Sequence, residues 1–158
     1  NADGGLPHRL TSAPGVDTDA SFSPDGSKIL FESDRSGSQQ LYVMDASGAN
    51  QRRVSFGGGW YAAPDWSPDG EKIAFTRRGA DGLRIGVMNI DGSGQNVLTT
   101  GPRDEGPSWA ASSRELIFTR TDPTGRSGIY RVALNGGAAR KVTVPQDGSD
   151  PDWSGTRD

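Results

Sequence analysis

The sequence contains no cysteine, one histidine and two methionines among its 158 residues. Without cysteine the chain has no disulfide bond, no thiolate nucleophile and no cysteine-ligated zinc site. Its apolar runs extend over three or four residues, whereas a membrane-spanning helix requires about 20. No window of ten or more residues keeps a helical apolar period free of glycine and proline, so the sequence predicts no helix.

The chain also lacks an excess of charge of either sign. Its 17 Lys and Arg residues are set against 20 Asp and Glu residues, which gives a formal net charge of −3. Because nucleic-acid and anionic-membrane surfaces favour basic patches, we expect neither kind of partner. The 23 glycines and 10 prolines are spread at regular intervals along the chain. This spacing indicates many turns rather than a linker or a disordered tract.

A short motif that combines a turn and a strand recurs through the sequence. It reads Ser-Pro-Asp-Gly followed by Lys-Ile and an aromatic, from Ser23 to Phe31 and again from Ser67 to Phe75. Proline presets the first turn position, aspartate bonds back to the backbone and glycine takes the positive φ. In a third copy, residues 111–113 read Ala-Ser-Ser instead of Pro-Asp-Gly, so we expect that turn to be looser.

Three markers give the length of the repeat as 44 residues, within one residue. They are the apolar residue before a Thr or Ser, the start of an apolar strand, and an aromatic: Leu10, Val54, Leu98 and Val142; Leu41, Ile85 and Ile129; Phe22, Trp66, Trp109 and Trp153. Each unit contains four short strand patterns separated by glycine-containing turns. Four antiparallel strands in a period of this length are the pattern of a β-propeller blade, so the predicted fold class is all-β.

The third strand of each unit carries apolar residues on both faces, as in Leu41 to Met44. A sheet sandwiched between neighbouring blades has this pattern, whereas a sheet with one solvated face alternates with polar residues. We therefore expect the aromatic marker to fill the gap between adjacent blades. The repeats amount to three complete blades plus two partial ones, and rings close with about four to eight blades. The sequence thus predicts part of a longer chain, or a ring completed by another chain.

The order of the repeat variants resembles the TolB family, the periplasmic component of the Tol–Pal system. The resemblance lies in the Ser-Pro-Asp-Gly motif after Phe22, in residues 85–88, in residues 105–109 and in the final Asp-Pro-Asp-Trp-Ser. It implies a six-bladed propeller preceded by a smaller α/β domain, with residues 1–158 forming half of the ring. It further implies a non-enzymatic periplasmic protein that binds the lipoprotein Pal at the channel mouth and supports outer-membrane integrity and cell division.

Two alternatives remain open. The repeat motif also occurs in prolyl-oligopeptidase-like propellers, so the chain could be the gating propeller of a peptidase whose catalytic domain lies outside it. The sequence has no Gly-x-Ser-x-Gly nucleophile elbow. The other alternative is a surface-layer or adhesion propeller.

The segment that enters each first strand is the predicted binding surface. These segments differ between repeats, as expected of positions freed from packing, and in a propeller they converge on one mouth of the channel. The predicted partner-binding residues are Asp17, Thr18, Asp19, Trp60, Tyr61, Arg103, Asp104, Glu105, Ser149 and Asp150. Exposed Trp and Tyr are frequent interface anchors, although Trp60 and Tyr61 could instead cap the neighbouring blade. We predict no catalytic residue and no cofactor, apart from weak calcium binding by crowded carboxylates.

Overall fold

A computed structural model of the chain describes residues 5–135, 137–142, 148–149 and 151–152. Within these residues the chain forms twelve β-strands and no helix, which confirms the all-β prediction. No helix there could cross a membrane. The strands are β1 (Asp17–Phe22), β2 (Lys28–Ser33), β3 (Gln40–Asp45), β4 (Arg52–Arg53), β5 (Trp60–Trp66), β6 (Lys72–Gly79), β7 (Gly82–Asn89), β8 (Asn96–Val97), β9 (Asp104–Trp109), β10 (Glu115–Thr121), β11 (Ser127–Ala133) and β12 (Arg140–Lys141).

The strands form three four-stranded sheets, each an antiparallel meander of consecutive strands. We call them blade 1 (β1–β4), blade 2 (β5–β8) and blade 3 (β9–β12). The first strands of successive blades contact one another, β1 with β5 and β5 with β9, while the two-residue fourth strands form the other edge of each sheet. The first strands therefore lie on the inner side, as in a propeller. The three complete blades confirm the repeat count, and the predicted closing partial blade falls outside the described residues.

The core lies between the blades rather than within one sheet. Leu30, Leu41 and Val43 of blade 1 pack with Trp66 and Phe75 of blade 2, and all five are at least nine-tenths buried. A second cluster joins blades 2 and 3 in the same way. The opposite face of blade 1 buries its own apolar side chains, with Leu10 packed against them. These clusters confirm that the strands with two apolar faces are sandwiched.

The repeated aromatic fills the gap between blades where a preceding blade is present. Trp66 is 7% exposed and Trp109 is 4% exposed. Each indole N–H donates to a carbonyl of the preceding first strand, Ser21 at 3.3 Å and Asp65 at 3.1 Å respectively. Phe22, at the same position in blade 1, is 63% exposed. The predicted role is thus confirmed for the two tryptophans, and the position of Trp153 lies outside the described residues.

The third turn keeps the backbone conformation of the first two, but its side-chain hydrogen bonds are fewer and longer, as the loss of Pro-Asp-Gly led us to expect. The amide of Ser113 donates to the carbonyl of Ala110 at 2.9 Å, and Gly26 and Gly70 make the same bond at 2.8 Å. Ser113 adopts φ 56°, close to the 71° and 75° of the two glycines. Its hydroxyl accepts a hydrogen bond from the Asp69 amide in blade 2 at 3.1 Å. Ser113 thus adopts the left-handed backbone conformation that glycine has in the first two turns, and its hydroxyl connects the turns of blades 2 and 3.

Candidate functional site

The predicted binding segments are not loops, because most of their residues lie within the inner strands. β1 begins at Asp17, β5 at Trp60 and β9 at Asp104. Each inner strand has an irregularity in its pairing three residues before the aromatic. The backbone there is left-handed, with φ 50° at Asp19, 48° at Ala63 and 64° at Gly106. The segments expected to precede the inner strands therefore form their first halves, and these halves are the candidate site.

Asp17 and Asp104, both predicted as partner-binding residues, are held in ion pairs within their own blades. The Arg35 guanidinium donates to the two carboxylate oxygens of Asp17 at 3.0 and 3.2 Å. It also lies over the rings of Phe31 and Tyr42, 5.1 and 4.9 Å from their centroids. Although burial alone raises the pKa of Asp17, hydrogen bonds from surrounding side chains including Arg35 hold it below its ordinary value. Asp17 is thus tied into the blade rather than free at the surface.

Blade 3 repeats this arrangement. Arg120 donates to the two carboxylate oxygens of Asp104 at 2.6 and 2.9 Å, and the Asp104 side chain is fully buried. The guanidinium lies 5.5 Å from the ring centroid of Phe118 and 4.7 Å from that of Tyr130. The hydrogen bond that Arg120 donates to Asp104 raises the pKa of Arg120. The Asp104 carboxylate is therefore enclosed by the blade, and contact between this residue and a partner stays a prediction.

In blade 2 a tyrosine takes the place of the aspartate. This corrects the prediction that Tyr61 is exposed. Tyr61 occupies the position of Asp17 and Asp104 but is fully buried, with its ring 5.2 Å from that of Phe75. Its hydroxyl donates to the Phe56 carbonyl at 2.7 Å. Gly86 stands where the other blades have tyrosine, and a Cβ there would lie 2.6 Å from the Phe75 ring. Tyr61 therefore fills the space between blades 1 and 2, as the structural alternative held.

The remaining predicted residues keep contact with solvent. Thr18, Asp19, Arg103 and Ser149 are exposed, while Trp60 and Glu105 are half-buried. Arg103 and Glu105 form an ion pair at 3.2 Å. Asp150 lies outside the described residues. What remains at this end of the inner strands, which we call the channel mouth, is Trp60, Thr18 and a mixed set of charges (Asp19, Arg103 and Glu105).

Glu32 is a residue that the sequence reasoning missed. It is 1% exposed and accepts a hydrogen bond from the Ala63 amide of blade 2 at 2.6 Å. The Gln39 side-chain amide also donates to its carboxylate. Burial raises its pKa to about 7. A glutamate in the middle of an apolar strand, where the other repeats have Thr76 and Thr119, is the sequence signal that could have identified it.

The described residues contain no group of three acidic or histidine side chains that could hold a metal ion. Asp65, on the inner strand of blade 2, accepts a hydrogen bond from the Trp109 amide at 3.0 Å. Burial, together with the nearby charge of Asp152, raises its pKa. Calcium binding in the channel remains a prediction.

Meander sheets that meet along their first strands, with apolar clusters between them, define the chain as a β-propeller protein. A family model described as TolB beta propeller domain matches residues 1–157. The chain therefore belongs to the TolB beta-propeller family.

Individual relatives agree with this assignment. The Tol-Pal system protein TolB of Rhizorhabdus wittichii is 56% identical over 60 residues, which cover 37% of this chain and 14% of that protein. The crystal structure of TolB from Acinetobacter baumannii superposes with a TM-score of 0.80 at 28% identity, over 92% of this chain and 37% of that one. A putative TolB from Agrobacterium tumefaciens gives a TM-score of 0.73 at 25% identity, over 87% and 52%. The chain thus spans about half or less of the length of these relatives.

Some propellers with enzymatic names share the fold. An oligogalacturonate lyase from Vibrio parahaemolyticus superposes with a TM-score of 0.70 at 14% identity, over 84% of this chain and 42% of that one. Identity at this level shows a common fold and carries no inference about activity.

Proposed function

We propose that the chain is a protein-binding part of a periplasmic Tol–Pal propeller and that its channel mouth binds the lipoprotein Pal. The observation that carries this proposal is the membership of the TolB family, together with the name of a curated relative as a Tol-Pal system protein. The proposed role in outer-membrane integrity and cell division requires capture of a partner and no bond-making chemistry, so the chain acts as a non-enzymatic module.

The arrangement of the mouth supports this role. Trp60 begins β5 beside Tyr61, which is fixed by its ring contact with Phe75 and by its hydroxyl bond. A large aromatic held on a rigid strand loses little conformational freedom on binding, which favours it as an anchor. Thr18, Asp19 and Arg103 add exposed polar groups at the same end of the inner strands. An aromatic anchor with a polar rim is the usual composition of a protein-binding surface.

A calorimetric titration of the soluble Pal domain into the purified chain tests the proposal. Replacing Trp60 with Ala should weaken binding by about 2 kcal/mol or more, the scale of a lost anchor. Arg103→Ala should weaken binding by a smaller amount. Arg114, exposed in the turn at the other end of blade 3, provides the matched arginine control. Binding equal in all three variants would place the interface elsewhere, and no heat with the unchanged chain would contradict the proposal.

We also propose that further blades complete the ring, from the rest of a longer chain or from a second copy. The face of blade 1 that no described blade covers supports this proposal. A cavity of about 390 Å³ there is lined by Phe22, Ile29, Phe31 and Met44, and the equivalent face of blade 2 is covered by blade 1. The molar mass of the purified chain, measured by light scattering, distinguishes a self-completed ring from an isolated half.

A further inference from the structure

Glu32 is an ionisable acid at the joint between blades 1 and 2. At the joint between blades 2 and 3 the equivalent residue has a neutral hydroxyl. Its carboxylate accepts the Ala63 amide at 2.6 Å, and the equivalent Thr76 accepts the Gly106 amide of blade 3 at 3.0 Å. In both joints the donor is the left-handed residue of the following inner strand. Because a threonine hydroxyl performs the same task in the next joint, holding the blades together does not require an acid.

The surroundings of Glu32 contain a second carboxyl group. Asp19, exposed on β1, lies near enough for its negative charge to act on Glu32. The register sets β1 directly beside β2 here, with Thr18 opposite Glu32. Two neighbouring carboxylates repel each other, and a proton on one of them relieves that repulsion. The neighbouring charge of Asp19 therefore disfavours the ionised form of Glu32.

No described group neutralises this pair by charge. The other groups that act on Glu32 are the Ala63 backbone amide and the Gln39 side-chain amide, and both are neutral. Burial is the largest influence and raises the pKa of Glu32 to about 7 from an ordinary value of 4.5. The two amide donors lower it in part, and the nearby charge of Asp19 raises it further. The desolvated site thus favours the protonated acid.

We propose that Glu32 holds a proton in the folded chain near neutral pH, which makes the joint between blades 1 and 2 proton-linked. Release of this proton leaves two negative charges side by side, one of them at the channel mouth. Between pH 4.5 and 7 the folded chain retains a proton that the unfolded chain has lost. The free energy of unfolding therefore falls as the pH rises through this window, and this part of the stability is present below it.

A carbon-13 NMR titration of the side-chain carboxyl groups in the whole chain tests the proposal without any partner. We expect Glu32 to titrate with a midpoint near 7 rather than near 4.5. Asp19→Asn removes the neighbouring charge and should lower that midpoint. In thermal melts, Tm should decrease by about 5 °C between pH 5 and pH 8. Glu32→Thr, which installs the residue of the next joint, should abolish this decrease.

Two further variants make the result decisive. Glu32→Gln keeps an oxygen acceptor without an ionisable proton and should also flatten the Tm profile, so it replaces Glu32→Thr if that variant fails to fold. Glu71→Gln, in the exposed turn before β6, is the matched glutamate control and should keep the slope of the unchanged chain. A Glu32 midpoint near 4.5, or the same slope after its replacement, would overturn the proposal.

Discussion

At the scale of single residues, the space beside the start of each inner strand is filled in two different ways. In blades 1 and 3 an aspartate binds an arginine that lies over a phenylalanine and a tyrosine. In blade 2 Tyr61 replaces the aspartate, and Gly86 replaces the tyrosine of the third strand. Arg77, equivalent to Arg120, turns to Asp81 at 3.0 Å instead. An aspartate–arginine ion pair and a buried tyrosine are therefore both compatible with the same strand geometry.

This interpretation predicts a large cost for removing Arg120. Its loss leaves the fully buried Asp104 carboxylate without its cation, so Arg120→Ala should lower the free energy of unfolding by about 3–5 kcal/mol. Urea denaturation followed by circular dichroism measures this change. Arg131, half-exposed and 3.9 Å from Glu115, is the matched control and should cost less than about 1 kcal/mol. Equal costs for the two arginines would contradict the buried pair.

The sequence could not predict this residue-scale detail. The two arginines that reach the same place come from different positions in the repeat, since Arg35 follows β2 and Arg120 lies within β10. A tyrosine beside a tryptophan after three glycines has the appearance of an exposed anchor, and only the missing side chain at Gly86 makes room to bury it. Such compensation between positions far apart in the sequence is visible only in the three-dimensional structure.

At the scale of elements, the inner strand and its aromatic organise each blade. The number of strands and their order followed from the 44-residue period, because the packed positions repeat. The residues at which the inner strands begin could not be predicted from this period. Their side chains face different neighbours in each blade, so residues 17–19 and 60–63 do not repeat and have the appearance of loops. Backbone pairing, which is indifferent to side-chain identity, extends the strands through them.

Replacing the same repeat position in two blades tests the role of the aromatic. Trp66→Ala should lower the free energy of unfolding by about 3–5 kcal/mol, since it empties the gap between blades 1 and 2. Phe22→Ala should lower the free energy of unfolding by only about 0.5 kcal/mol, because Phe22 is already 63% exposed. Denaturant midpoints of the two variants give the comparison. Similar costs would contradict the placement of Trp66 between blades.

At the scale of the whole molecule, three blades stack through apolar clusters and bring their inner strands together at one mouth. We propose that this mouth, rather than a blade edge or the opposite turns, binds Pal. Amide hydrogen exchange of the chain with and without the soluble Pal domain measures this most directly. We expect added protection at residues 17–19, 60–63 and 103–106 when Pal is bound. Protection confined to the Ser-Pro-Asp-Gly turns or to β4, β8 and β12 would contradict it.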